Sequence, residues 1–176
     1  PYVPHQPGYN KRVRRLGPTM LAVIEHLAAD TSVATDDVLV VDSTPIECAR
    51  SRDTVKRSDL AGWAEYGYSA SHSRYFWGLR LHLVTTLHGL PVAFALTGAK
   101  ADERTVLTDL IATTPALAGG GRTLIADKNY YGREFESALA ATGFTLLRKA
   151  RTGENPRPGA QFFKPLRQTI ESVFDT

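Results

Sequence analysis

Cysteine is almost missing from this chain. Cys48 is the only one in 176 residues, so no internal disulfide can form, and a reducing cytosol is the expected compartment. No stretch approaches the roughly 18 consecutive apolar residues that a membrane span needs, so no membrane partner is expected. The opening Pro1-Tyr2-Val3-Pro4 lacks the charged-then-apolar layout of a secretory leader. The three glycines at 119–121 show no phosphate-loop pattern, and no internal repeat is visible. With a proline first and Thr176 closing what reads as an unfinished helix, the chain is expected to be a fragment.

What is present fits one soluble domain with a real core, since 43% of residues are apolar and 22% charged. The net charge of +3 is modest, but its distribution is uneven. Lys11, Arg12, Arg14 and Arg15 form one cluster, and Arg50, Arg52, Lys56 and Arg57 a second. A third runs from Arg148 to Arg167 through Lys149, Arg151, Arg157 and Lys164, with Glu154 as its lone acid. Separate clusters of this kind suit a surface that neutralises phosphates, and they equally suit solvated loops.

Residues 1–20 read as an extended, basic arm. A helix is expected from Pro18, with Leu21, Ile24, Leu27 and Ala28 on one face. Val38 to Val41 is an unalternating β-branched run ending at Asp42, as expected of a central strand covered on both faces. Residues 44–73 read as irregular. Tyr75 to Thr86 alternates and, with a turn at 87–90 and a strand at Pro91 to Leu96, predicts a hairpin. Asp102 can cap a helix carrying Val106, Leu107, Leu110 and Ile111. Thr123 to Ala126 is a second apolar run ending in aspartate, at Asp127. A helix with Phe135, Ala138 and Leu139 inward should stop at Gly143, before a strand at Phe144 to Leu147. A loop at 150–160 and a last helix with Leu166, Ile170, Val173 and Phe174 complete the chain.

If the first three strands form an antiparallel meander, a right-handed crossover delivers the fourth parallel to the first. The expected fold is therefore α/β of the ribonuclease-H-like kind, a mixed sheet with an antiparallel three-strand meander plus two parallel strands, flanked by helices; other mixed-sheet orders stay open to the same pattern. Its expected organisation is a basic arm and helix over residues 1–35, then a catalytic domain over 36–176 truncated in its last helix.

Two strands ending alike in Asp42 and Asp127 are informative together. On neighbouring parallel strands both carboxylates would emerge at one end of the sheet, where they repel each other. A divalent cation resolves that repulsion, and hard oxygen ligands favour Mg²⁺ or Mn²⁺. Each aspartate could instead cap a following turn. Glu171 joins as a candidate only if the last helix packs its apolar face on the sheet. Otherwise Arg167 and Glu171 form an ordinary i,i+4 surface pair.

These residues also match a family pattern. Val41-Asp42-Ser43-Thr44-Pro45, Gly67-Tyr68-Ser69, Tyr75-Phe76-Trp77-Gly78-Leu79-Arg80-Leu81-His82-Leu83, Ala126-Asp127-Lys128-Asn129-Tyr130-Tyr131-Gly132 and Arg167-x-x-x-Glu171 resemble the DDE transposase domain of bacterial insertion sequences. Any one of these segments alone would be weak, but their order is jointly specific, and they cover roughly residues 36 to 176. Lys164 departs from the tyrosine expected there, and the lysine of the longer motif would fall beyond Thr176.

The resemblance implies metal-dependent DNA cleavage and strand transfer, with Asp42, Asp127 and Glu171 as the acids holding two Mg²⁺ or Mn²⁺ ions. It implies DNA as the partner, meaning element ends and target, and an active complex of two or more copies. Lys128, Arg133, Arg148, Lys149, Arg151 and Arg167 are the expected DNA contacts. His82 could face the acids or sit satisfied in the core. Trp63, Trp77 and Tyr131 could stack on bases, although packing explains Trp77 better. The rival expectations are an inactive DNA-binding remnant and another ribonuclease-H-like nuclease; glycosidase chemistry fits the basic clusters poorly. The chain is expected to be a weak catalyst, because Glu171 stands five residues from its end, where helices fray.

Overall fold

The structure is a computed structural model that describes residues 5–30, 36–69, 73–159, 161 and 163. Its centre is a six-stranded mixed sheet, built from β1 (Val38–Ala49), β2 (Glu65–Ser69), β3 (Arg74–Thr86), β4 (Pro91–Gly98), β5 (Arg122–Ala126) and β6 (Phe144–Arg148). β1 pairs antiparallel with β3, and β3 with β4. β5 lies parallel to β1, and β6 parallel to β5. The meander with two parallel strands beyond it is therefore the arrangement found, and the fold is the expected ribonuclease-H-like one. β2 adds a strand that the sequence reading missed, pairing with the first half of β3 while β4 takes the second half.

Two elements are longer than the pattern implied. β1 does not stop at Asp42 but runs on to Ala49. Thr44 to Ala49 lack the apolar run of the first half, yet β3 offers them an antiparallel ladder from Leu81 back to Trp77, with one register shift between Glu47 and Ala49. Backbone pairing thus overrides a mixed sequence there. The supposed arm is likewise helical: α1 (Gln6–Asp30) runs continuously through Gly17 and Pro18. Its Lys-, Arg- and Leu-rich residues are good helix formers, which offsets the single hydrogen bond that Pro18 removes. Part of the irregular stretch forms α2 (Arg52–Arg57), with Ser51 capping the Thr54 N–H.

The main core lies between one face of the sheet and α3 (Glu103–Thr113) and α4 (Arg133–Ala141). Leu39, Val41, Leu124 and Ala126 from the sheet meet Val106, Leu107, Leu110 and Leu139 from the helices. Asp102 caps α3 through the Arg104 N–H, as its sequence position suggested. Gly143 follows α4 at φ 85°, a left-handed stop that costs glycine little. Ala138, expected inward, is exposed. On the opposite face Val40 and Ile125 pack with Phe163.

One glycine is fixed by close approach. A Cβ on Gly78 would lie 1.9 Å from the Ile46 carbonyl oxygen, where β3 meets the far half of β1. Gly78→Ala is expected to destabilise the fold by about 3 kcal/mol, because that oxygen belongs to backbone and cannot swing away. Urea unfolding measures this, and a loss under about 0.5 kcal/mol would show that the two strands can separate freely at this point.

Candidate active site

The parallel ladder of β1 and β5 runs from Val38 and Thr123 up to Val41 and Ala126. The next residue on each strand is an aspartate, so Asp42 and Asp127 emerge side by side where β5 ends. β1 continues past this point with only β3 beside it, and the sheet forks. Beyond the fork lies a cleft of about 880 Å³ lined by both aspartates, with Ser43, Arg80, Glu103, Lys128, Tyr131 and Lys149 among its walls. Strand alternation places Asp42 with Val40, and Asp127 with Ile125, on the face that Phe163 covers.

The two carboxylates are held differently. Asp127 is exposed and accepts the Lys128 N–H at 2.6 Å. Asp42 is half-buried and accepts the Ser43 N–H at 2.8 Å. Burial raises the Asp42 pKa to about 6. The Ser43 hydrogen bond works against that rise, and the charges of Glu103 and Asp127 add to it. A carboxylate pushed this way carries negative charge that its surroundings do not compensate. The donor set of two hard oxygen groups at one sheet end fits Mg²⁺ or Mn²⁺. Among the described residues, no three His, Cys, Asp or Glu side chains converge on one metal position. Glu171 and Arg167 lie outside the described residues.

Sequence reasoning overlooked a polar cluster beside the acids. Arg80 donates to Ser43 Oγ at 2.9 Å and pairs with Glu103 at 2.8 Å, while the Ser43 hydroxyl donates to the same Glu103 oxygen. Arg80 stood inside the motif with no role, and nothing in the local sequence singled out Glu103. Their meeting depends on the β1–β3 register, which pairs Pro45 with Arg80. Beneath them the Tyr130 hydroxyl is buried without a hydrogen-bond partner among the described residues. Burial raises its pKa, reinforced by Glu103 and Asp42.

His82 does not reach the acids. It is buried in β3, with Nε2 in a hydrogen bond to Thr97 Oγ1 at 2.9 Å. Burial, with Arg80 nearby, lowers its pKa from 6.5 to about 4. The unfolded chain therefore takes up this proton first, and His82 costs stability as pH falls from about 6.5 toward 4. His82→Gln is expected to flatten that part of the stability–pH curve, as thermal melts would show. An unchanged curve would mean that the imidazole is protonated in the fold.

The candidate DNA contacts divide. Lys128 and Lys149 are exposed and line the cleft. Arg151 is exposed and stacks over the Tyr131 ring at 3.6 Å, with Arg104 at 5.4 Å from the same ring. That ring is thus covered by guanidinium rather than open for a base. Arg133 is exposed at the start of α4 but does not line the cleft. Arg148 requires correction: its side chain is 2% exposed and pairs with Glu136 at 2.8 Å and Glu154 at 2.7 Å. Its charge is neutralised inside the fold, because β6 turns this residue toward α4 and the following loop.

A family model described as the transposase DDE domain matches residues 34–176. Among solved structures, one described as a piggyBac transposase synaptic complex with hairpin DNA is similar at 11% identity and a TM-score of 0.46, covering 73% of this chain. Another, a Mos1 transposase paired-end complex with the left transposon end, is similar at 11% identity and a TM-score of 0.40, covering 98% of this chain. The chain spans 26% of the first protein's length and 57% of the second's. No curated protein matches it.

Proposed function

The chain belongs to the transposase DDE domain family, and from that premise we propose that it cleaves DNA and joins the freed strand end to target DNA in a metal-dependent reaction. The observation that carries this reading is the emergence of Asp42 and Asp127 side by side at the fork of the sheet. Asp42 and Asp127 would hold the metal, with Glu171 as the third acid. A bound pair of Mg²⁺ or Mn²⁺ ions would activate the attacking oxygen and steady the leaving oxygen.

The chain's own residues supply position and charge. The Ser43 and Lys128 N–H groups fix one oxygen of each aspartate. Their remaining lone pairs are left for a cation. Arg80, tied to Glu103 and Ser43, anchors β1 beside Asp42. Lys128 and Lys149 offer positive charge at the cleft wall, where a phosphodiester backbone would lie. Phe163 brings the chain onto the carboxylate-bearing face. Water and then a 3′-hydroxyl can serve in turn as nucleophile, since both steps are in-line displacements at phosphorus with no covalent protein intermediate.

We also propose a boundary near residue 35, with 1–35 as a lead-in to the catalytic domain. The family match starting at residue 34 supports it, as does the exposure of nearly all of α1. An active complex of two or more copies belongs to the same proposal.

The test is nicking of supercoiled plasmid, and strand transfer of a pre-nicked DNA end, in Mg²⁺ or Mn²⁺. Activity that is lost on chelation and in Asp127→Asn supports the reading. Activity that survives chelation would sink it. DNA binding without any cleavage would favour an inactive remnant.

A further inference from the structure

The second basic cluster and the exposed aromatics are not used in the cleft chemistry described above, although Tyr68 lines the cleft. The aromatics gather at one end of the sheet. Tyr68 of β2 sits directly opposite Tyr75 of β3, their rings 5.0 Å apart and tilted by 58°. Tyr66 pairs with Trp77 one step along the same ladder. By strand alternation Tyr66, Tyr68, Tyr75 and Trp77 share a face, and along β3 that face continues through Leu79 and Leu81 to Leu83, the partner of Asp42. Trp77 is buried there, covered in part by Val55 of α2 and by Leu60. The three tyrosines are open, with exposures of 53% for Tyr66, 48% for Tyr68 and 80% for Tyr75.

Val55 packs α2 against the cluster that contains Trp77, so the helix that carries the second basic cluster is anchored to the same core patch as the tyrosine-bearing ladder. Arg52, Lys56 and Arg57 are all exposed. No salt bridge to any of the three exists among the described residues, although Asp53 and Asp59 lie in the same stretch. Tyrosine rings left in water, and an α2 whose cations form no salt bridge among the described residues, are poorly explained by folding, since the helix cap and the Trp77 cluster hold this region without them. Flat π-faces bordered by phosphate-seeking charge match unpaired nucleotides, whose bases stack and whose backbone is anionic. A duplex hides its base faces and would use only the cations.

We propose that Tyr66, Tyr68 and Tyr75 form a stacking surface for single-stranded DNA, with Arg52, Lys56 and Arg57 of α2 supplying charge for its backbone. It lies on the same sheet face as Asp42 and Asp127. The proposal rests on the DNA-processing reading above, and it assigns a substrate form to that reading: a strand with unpaired bases beside the cut.

The test uses the 176-residue chain and fluorescence anisotropy. The probes are a labelled thymidine oligonucleotide and a duplex of equal length, each across a salt series. In the Tyr66→Ala/Tyr75→Ala variant, single-strand affinity is expected to fall about 10-fold or more, with duplex affinity changed by less than about twofold. Tyr66→Phe/Tyr75→Phe keeps both rings and is expected to retain single-strand binding. Equal losses on both probes, or no loss on either, would overturn the proposal. So would a loss of self-association in the alanine variant without any change in oligonucleotide binding, which would make this face a contact between copies. Plasmid nicking separates the two readings. A parent chain that nicks plasmid but shows no preference for the single strand fails the stacking surface alone. Selective binding in a chain that never nicks fails the catalytic reading alone.

Discussion

Asp42→Asn is expected to abolish DNA cleavage and to make the protein more stable. The two effects share a cause. Asp42 is held where burial, opposed by the Ser43 N–H and reinforced by Glu103 and Asp127, raises its pKa from 3.8 to about 6. The folded state therefore binds this proton more tightly than the unfolded state does. The charged form costs stability that is fully lost above about pH 6 and is recovered as pH falls toward 3.8. A rise of about two pKa units corresponds to roughly 2–3 kcal/mol, or on the order of 5 °C in Tm for a domain of this size. Asparagine keeps the acceptor for the Ser43 N–H and removes the charge. Thermal melts in chelator should show the variant melting higher at pH 7 and level with the parent near pH 4. Cleavage should fall by on the order of 10³-fold, since a neutral amide cannot replace a carboxylate toward a divalent cation. A variant that melts lower at pH 7 would mean that Asp42 is compensated in the fold, and one that still cleaves would remove it from the site.

Arg148→Ala is expected to be among the most damaging substitutions outside the cleft. The guanidinium is nearly inaccessible and donates to Glu136 and Glu154, to the Lys149 carbonyl and to nothing outside the protein. Those bonds hold the Glu154 carboxyl down at about 2. At Glu136 burial pushes upward, but hydrogen bonds from Arg148 and Arg157 bring the net shift below the ordinary value. Truncation leaves a cavity, takes from Glu154 its guanidinium partner and leaves Glu136 with Arg157 alone, a change that costs about 3 kcal/mol. Urea unfolding of Arg148→Ala tests this, with Arg148→Met combined with Glu136→Gln and Glu154→Gln as the control. The triple variant should recover much of the loss. If Arg148→Ala costs under about 1 kcal/mol, the pairs are solvated and the residue is again available to phosphate. The salt dependence of DNA binding should separate the neighbours: charge reversal at Lys149 and Arg151 flattens it, whereas reversal at Arg148 unfolds the protein.

Much of this was legible in the chain. Short apolar runs ending in Asp42 and Asp127, the alternation of Tyr75 to Thr86, the Asp102 cap and the Gly143 stop are local signals. Each acts within a few residues, through side-chain periodicity or a backbone conformation that only certain residues accept. Together with crossover handedness they pointed to the order of five of the six strands, with both aspartates at one end.

What the sequence left open depends on partners distant along the chain. β1 extends to Ala49 because β3 pairs with it, not because its own residues favour a strand. Arg148 looked like one more member of a basic cluster, and only the packing of β6 against α4 and the 150–157 loop turned it inward to Glu136 and Glu154. The Arg80–Ser43–Glu103 cluster exists because register aligns two strands and a helix start. The tyrosine face exists because β2 takes the first half of β3. Local sequence specified which residues are polar, apolar or able to turn. Tertiary structure decided which charges face water, because burial is a property of the neighbours and not of the residue.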